Sequence, residues 1–286
     1  MIKGKREIIK KKYNKLKVKY DKNKDGLISL DEYLDKELSL GPKAKKTVIN
    51  YNYQHWSNIY NYFMIEFLYN KKFKILCVPN FIVEYEKDSI PIRGGIVYSI
   101  DNDFFYYNNY IKKSIIDCEE NKKVRFIFIL FATIQRGTTS FTHANIIIID
   151  LVKKTFERFE PYGQLNIHFE NKIDKKFNKE IKYITGLNNF KYISPTNISP
   201  KLGIQSRVDA YCGMCVTISM MYLQLRVLNP DLSQKKIVKF LLNKDKKELK
   251  TMILKYARHV ERTLKDNKNI VLDLEKDFKM QLDLIN

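Results

Sequence analysis

A histidine, a carboxylate, an amide and two cysteines in the second half of this 286-residue chain are of the types a thiol hydrolase needs. A thiol nucleophile requires a base to make thiolate, a group that orients the base, and donors for the oxyanion. His143 opens the apolar stretch HANIIIID, and Glu160 comes seventeen residues later, across the polar turn LVKK, in TFERFEP. A strand, a turn and a return strand of those lengths set the two side by side. Glu160 can then accept from one imidazole nitrogen while the other faces a sulfur. Downstream, IQSRVDAYCGMCVTISMMYLQLR puts Cys212 and Cys215 at the start of an apolar helix. A helix N-terminus favours thiolate and offers backbone N–H donors. Gln205 precedes both thiols with an amide able to join those donors.

A second chemistry-bearing stretch lies near the N-terminus. In DKNKDGLISLDE, residues Asp21, Asn23, Asp25, Gly26, Leu27, Ser29 and Glu32 fall at positions 1, 3, 5, 6, 7, 9 and 12 of the helix–loop–helix calcium motif. Short oxygen-bearing side chains at Asp21, Asn23 and Asp25 suit a hard cation, and Gly26 permits the sharp turn. Leu27 offers its carbonyl, Ser29 a direct or water-mediated oxygen, and Glu32 two closing oxygens. The pattern is that of an EF-hand and predicts bound Ca2+. These hands usually pair through a small β-contact, and no second copy is visible, so this one must bind weakly, dock on the rest of the chain, or pair between chains.

The elements that must position these groups can be read from periodicity. Ile9, Tyr13, Leu16 and Tyr20 share one side of a helix before the loop, and Tyr33, Leu34 and Leu38 begin another that Gly41-Pro42 ends. Helical spacing recurs at Trp56, Tyr60, Phe63 and Phe67. Strand-like segments follow near 73–86 and 96–107, with turns at Pro79-Asn80 and Gly94-Gly95. VRFIFILFATI (124–134) is a near-continuous apolar run, as for a strand covered on both faces. HANIIIID is a second such strand, and TFERFEP alternates like a strand with one wet face. Residues 172–185 read as a helix, 190–194 as a short strand, and 211–228 as a buried helix stopped by Asn229-Pro230. Ser233 caps a helix over 234–243, and a basic helical tail runs to about 266. The fold class expected is α+β: a mixed sheet carrying His143 and Glu160 against a central, cysteine-headed helix. Residues 1–42 form the hand and 43–286 the larger domain.

HANIIIIDLVKKTFERFEPYG resembles the His-strand and acidic-strand hairpin of the SUMO-specific, adenain-like cysteine peptidases. GIQ ahead of a cysteine-headed helix is similar to that clan's Gln and Cys motifs, in the same order. G-M-C-V-T-I-S-M-M-Y-L-Q-L-R-V-L-N-P-D is similar to a segment of predicted peptidases from large nucleocytoplasmic DNA viruses. The resemblance spans residues 124–232. It departs where the family's Trp, three residues after Cys, is Ile218. Alignment on Ser219, Tyr222, Arg226 and Asn229-Pro230 makes Cys215 the nucleophile; alignment on the Gln-to-Cys spacing and on the Cys-Gly pair selects Cys212. More residues support Cys215, and in that frame the loop from Gln205 is long enough for Asp209 to share the oxyanion position. The resemblance implies peptide or isopeptide hydrolysis at Gly-Gly-type junctions, in a ubiquitin-like modifier or a viral precursor polyprotein. A groove that admits only glycine explains that preference.

Composition limits the rivals. At 44% apolar the chain can bury a core, which excludes the disordered and collagen-like classes. The longest apolar run, 124–133, is interrupted by Arg125 and is too short to span a membrane. The net charge of +20 comes mostly from lysine rather than the forked guanidinium that grips phosphate, so it predicts non-specific attraction to polyanions rather than dedicated nucleic-acid binding. The charged N-terminal residues show no export signal. Four cysteines are too few for a disulfide framework, which predicts a reduced, intracellular, soluble protein. CGMC as a redox C-x-x-C lacks the βαβ unit such motifs follow, and Cys77 and Cys118 lack paired zinc spacing. The remaining rivals are a non-catalytic calcium-responsive module on the peptidase fold and a reversible Cys212–Cys215 bond that silences the thiol.

Overall fold

The computed structural model describes residues 2–34, 56–69, 75–85, 91–135, 141–164, 167–208 and 214–283. Its centre is a long antiparallel hairpin. Strand β6 (Phe126–Gln135) pairs with β7 (Phe141–Asp150) in a register running from Phe126 opposite Asp150 to Gln135 opposite Phe141. Strand β8 (Thr155–Phe159) adds antiparallel to β7, and β9 (Lys191–Ile193) adds parallel to β8. On the other side β6 carries two short parallel partners, β1 (Leu76–Cys77) at its start and β4 (Gly95–Ser99) further along, and β5 (Phe104–Tyr106) closes that edge. A separate two-stranded ribbon joins β2 (Ile82–Val83) to β3 (Ile92–Arg93). The architecture is α+β around a seven-stranded mixed sheet.

Both faces of the sheet are covered, which is why β6 and β7 read as unbroken apolar runs. On one face lies helix α5 (Ile167–Thr185), whose Phe177 packs on Phe105 and Phe131. On the other lies α8 (Cys215–Leu228), buried along its whole length, with Tyr222 stacked on Phe159 of β8. A helix apolar all round has to be central. The N-terminal helices α1 (Ile2–Tyr20) and α2 (Leu30–Leu34) flank the loop at 21–29; Ile9, Tyr13 and Tyr33 are buried. Helix α3 (Trp56–Phe63) continues into a π-helical turn (Met64–Tyr69) and buries Tyr60, Phe63 and Phe67, the spacing seen in the sequence. Ser233 caps α9 (Gln234–Leu242), its hydroxyl accepting from the Lys236 N–H. Helix α10 (Lys246–Asp266) begins with a capping box made by Asp245 and Glu248.

Two expectations need correction, on strand β8 and on the cysteines, and two helices were not anticipated. Strand β8 has no wet face: Glu157 points into α8 and Arg158 into α5, where each finds a buried countercharge. The alternation of charge with aromatics was real, but the charged side chains are neutralised inside. Helix α4 (Ile111–Glu120) was overlooked; it buries only Ile111, Ile115 and Cys118, a stripe too sparse to stand out among lysines and acids. The basic helical tail is α10, which ends at Asp266 as expected, but a further helix not anticipated, α11 (Lys268–Asp283), follows and docks through the Leu274 carbonyl, which accepts from Arg93. Finally, the cysteines are not all reduced: Cys77 and Cys118 form a disulfide, their Cα atoms 5.8 Å apart. Strand β1 and the end of α4 meet only in the fold, 41 residues apart in the chain, so no local motif announces the pair. Among the described residues no helix is long and apolar enough to cross a membrane. The motif residues Leu38, Gly41 and Pro42, and with them the boundary at 42, lie outside the described residues.

Candidate active site and calcium loop

The hairpin does what its lengths predict. The β7–β8 ladder runs from Asp150–Thr155 to Ile146–Phe159, so His143 and Glu160 emerge just beyond its last pair. There, His143 Nε2 and Glu160 Oε1 are 2.7 Å apart. That bond occupies Nε2 and leaves Nδ1 open to another partner; Cys215, the first residue of α8, lies close enough to the ring to influence its protonation. Both His143 and Glu160 are buried. Burial alone would push the ring towards neutrality. The Glu160 carboxylate and the hydrogen bonds to Cys215 and Glu160 overcome it and raise the His143 pKa to about 10. Burial likewise opposes ionisation of Glu160, but the His143 charge and hydrogen bond, the Arg158 charge and the Tyr162 N–H hold its carboxyl below the usual range.

Neighbouring groups fix this pair. The Tyr162 N–H donates to Glu160 Oε1 at 2.8 Å, and the Tyr162 ring lies against the imidazole with centroids 5.0 Å apart. Arg158 Nη1 stands 3.9 Å from Glu160 Oε2 and is turned by Asp174 and Asn145. The sequence offers Arg158 only as a surface partner for Glu160 and gives no sign of Tyr162, Asn145 or Asp174 in this role. Arg158, two residues before Glu160 on the same side of a strand, was visible as a neighbour, but only the fold shows that it is inside.

Gln205 sits on the short helix α7 (Ile204–Val208), buried and packed beside α8. Its segment is laced to the residues after Glu160. The Gln205 N–H donates to Pro161 O, the Gly203 N–H to Tyr162 O, and the Ser206 hydroxyl to Tyr162 O. The two backbones cross at Gly163 and Gly203, where a Cβ on either would collide with the other chain; Gly163 also has φ +84°. Acid and amide segments are thus pinned together. Cys215 lies beside the imidazole, and among the described residues it is the free cysteine. Cys212 and Asp209 lie outside the described residues.

The candidate calcium loop, residues 21–32, is folded on itself. Asp21 Oδ2 accepts from the Gly26 N–H, Asn23 Oδ1 from Asp25, and Asp25 Oδ1 from Leu27. Gly26 takes φ +86°, as its position demands. Glu32 closes over the loop: Oε1 accepts from Lys22 and Asn23, and Oε2 from the N–H and hydroxyl of Ser29. Burial works against ionisation here, and the bonds from Ser29, Asn23 and Lys22 outweigh it, holding the Glu32 carboxyl below its usual range. Asp21 Oδ1 is buried and receives no hydrogen bond from the protein. Among the described residues no three His, Cys, Asp or Glu side chains already converge as a metal cage. The donor set still fits a hard cation: an orphaned carboxylate oxygen at position 1, carboxylates at 5 and 12, and amide, hydroxyl and backbone oxygens between them.

No family model, curated protein or solved structure matches the chain.

Proposed function

We propose that this chain is a cysteine peptidase with an adenain-like, SUMO-protease-like core, cleaving peptide or isopeptide bonds at Gly-Gly-type junctions, with Ca2+ held by the N-terminal hand. One observation carries the reading: a buried imidazole bonded to Glu160 through Nε2, with Cys215, the head of the buried helix α8, beside the same ring. In this reading the thiol proton already rests on His143 Nδ1, the ring being held as imidazolium by Glu160, and the sulfur attacks the scissile carbonyl carbon. Backbone N–H groups at the start of α8, with Gln205, hold the developing oxyanion. As the C–N bond breaks, the imidazolium returns the proton to the leaving amine. Water, deprotonated by the same ring, then hydrolyses the thioester and frees the thiol. Glu160 keeps the ring oriented and stabilises its charge throughout. The hydrolysed partner would be a ubiquitin-like conjugate or a viral precursor polyprotein, as the sequence resemblance implies.

For the calcium, Asp21, Asn23, Asp25, Glu32, the Leu27 carbonyl and Ser29 would form the shell. A bound ion would give Asp21 Oδ1 its missing partner and exchange the Lys22 and Asn23 N–H bonds on Glu32 for the cation. Calorimetric titration is expected to show heat that Glu32→Gln removes.

The catalytic reading is tested with a probe carrying a Gly-Gly electrophile. Covalent capture by the wild type and its loss in Cys215→Ser are expected. Capture lost only in Cys212→Ser would move the nucleophile to that residue. No capture by the wild type, with calcium binding intact, would favour the non-catalytic calcium-responsive module on the same fold.

A further inference from the structure

Position 8 of a calcium loop is where two hands normally join: the backbone N–H and C=O of that residue pair with those of a second loop. Here position 8 is Ile28, and both of its backbone groups are already used. The Ile28 N–H donates to Asn229 Oδ1 at 2.7 Å, and the Asn229 Nδ2 donates back to Ile28 O at 2.9 Å. Both residues are fully buried. One side-chain amide thus presents the donor and acceptor that a partner strand would present. Asn229 is the C-cap of α8, the helix that begins at Cys215, and its Nδ2 also donates to Leu225 O in the last turn.

A second attachment lies one residue beyond the closing glutamate. The Tyr33 hydroxyl donates to buried Glu66 in the π-helical turn. In the same interior Tyr62 and Tyr256 both donate to Gln224 of α8. The loop and its exiting helix are therefore clamped to the body. The entering helix is less closely seated: a cavity of about 300 Å3, lined by Ile9, Lys10, Tyr13, Arg125 and Asp231, lies beneath α1.

We infer that Asn229 takes the place of the missing second hand, as a positioning residue for the calcium loop, and ties loop occupancy to the C-terminal end of α8. This rests on the calcium reading above and deepens it. The hand is then complete within one chain, binds a single ion, and does not pair between chains. Calcium held by Asp21 and Glu32 orders Ile28, Ile28 orders Asn229, and the last turn of α8 tightens with the loop. By reciprocity, loosening Asn229 weakens calcium binding.

The test is calorimetric titration of CaCl2 into the full chain, with sedimentation in parallel. The wild type is expected to bind one ion and stay monomeric. Asn229→Ala should bind about tenfold more weakly, about the value of one hydrogen bond to a buried group. Ser233→Ala, which loses the α9 cap without touching Ile28, should bind within about twofold of wild type. Unchanged affinity in Asn229→Ala, or a calcium-dependent dimer, would overturn the assignment while the calcium site stood. Absence of heat in the wild type would overturn both. Should Asn229→Ala not fold, amide exchange on the wild type decides: calcium is expected to protect Ile28 and residues 225–229 together, and protection confined to the loop overturns the inference.

Discussion

Strand β8 and the residue that follows it carry two buried carboxylates three residues apart, and they live differently. Glu157 is saturated: Arg226 donates through Nε to Oε1 at 2.8 Å and through Nη2 to Oε2 at 3.2 Å, while Tyr222 and Gln234 add one bond each. Glu160 bonds through Oε1 alone, to His143 and the Tyr162 N–H; its Oε2 is buried without a hydrogen bond, with Arg158 nearby at 3.9 Å. Glu157 faces a guanidinium that never loses its charge, Glu160 an imidazole that can give up its proton. The first arrangement locks α8 to the sheet. In the proposed mechanism the second holds a group that changes protonation during turnover. Burial and ion pairing alone therefore do not mark a functional carboxylate; a titratable partner and an incompletely satisfied oxygen do.

The largest expected effect separating the two is on rate. Glu160→Gln should cut the hydrolysis or probe-capture rate by about 100-fold or more, since ring orientation and charge stabilisation are both lost, whereas Glu157→Gln should leave the rate per folded molecule within about threefold. Similar losses in both would erase the distinction. Next comes stability, where the order reverses. Removing one charge of the fully buried Glu157–Arg226 pair should cost about 3–5 kcal/mol and lower Tm by on the order of 10 °C in a thermal melt. Glu160→Gln should lower Tm less, because His143 can shed its proton and Arg226 cannot. The smallest effect is in pH dependence. A ring whose pKa is raised from an ordinary value near 6.5 to about 10 contributes stability that is fully present below pH 6.5 and lost as pH rises through 10. Melts between pH 7 and 10.5 should show that decline in the wild type and a flatter profile in Glu160→Gln; equal slopes would contradict the His143–Glu160 pairing.

Much of this site was legible because its determinants are local or strongly patterned. A β-branched run (HANIIIID) and an alternating stretch (TFERFEP) separated by the short polar turn LVKK fix a hairpin, and that hairpin sets His143 beside Glu160. A helix apolar all round has to be central, so Cys215 at its head points to the middle of the fold. Ser233 capped its helix as its type and place suggested. The parts that escaped are long-range matches between residues with no shared pattern. Arg226 meets Glu157 across 69 residues, Cys77 meets Cys118 across 41, and Asn229 meets Ile28 across 201. Asn229-Pro230 read as a helix stop and as part of the resemblance; nothing local marks its amide as a partner for a loop at the far end of the chain.

The central claim is that Cys215, His143 and Glu160 act as one unit, and the most direct test is to catch the bond they make. The wild type would be mixed with a Gly-Gly ester substrate, quenched in acid within milliseconds to seconds, and mapped by peptide mass spectrometry. The account predicts an acyl group on Cys215 in the wild type and far less in His143→Ala. An acyl group on another residue, or the same yield on Cys215 without the imidazole, would contradict it.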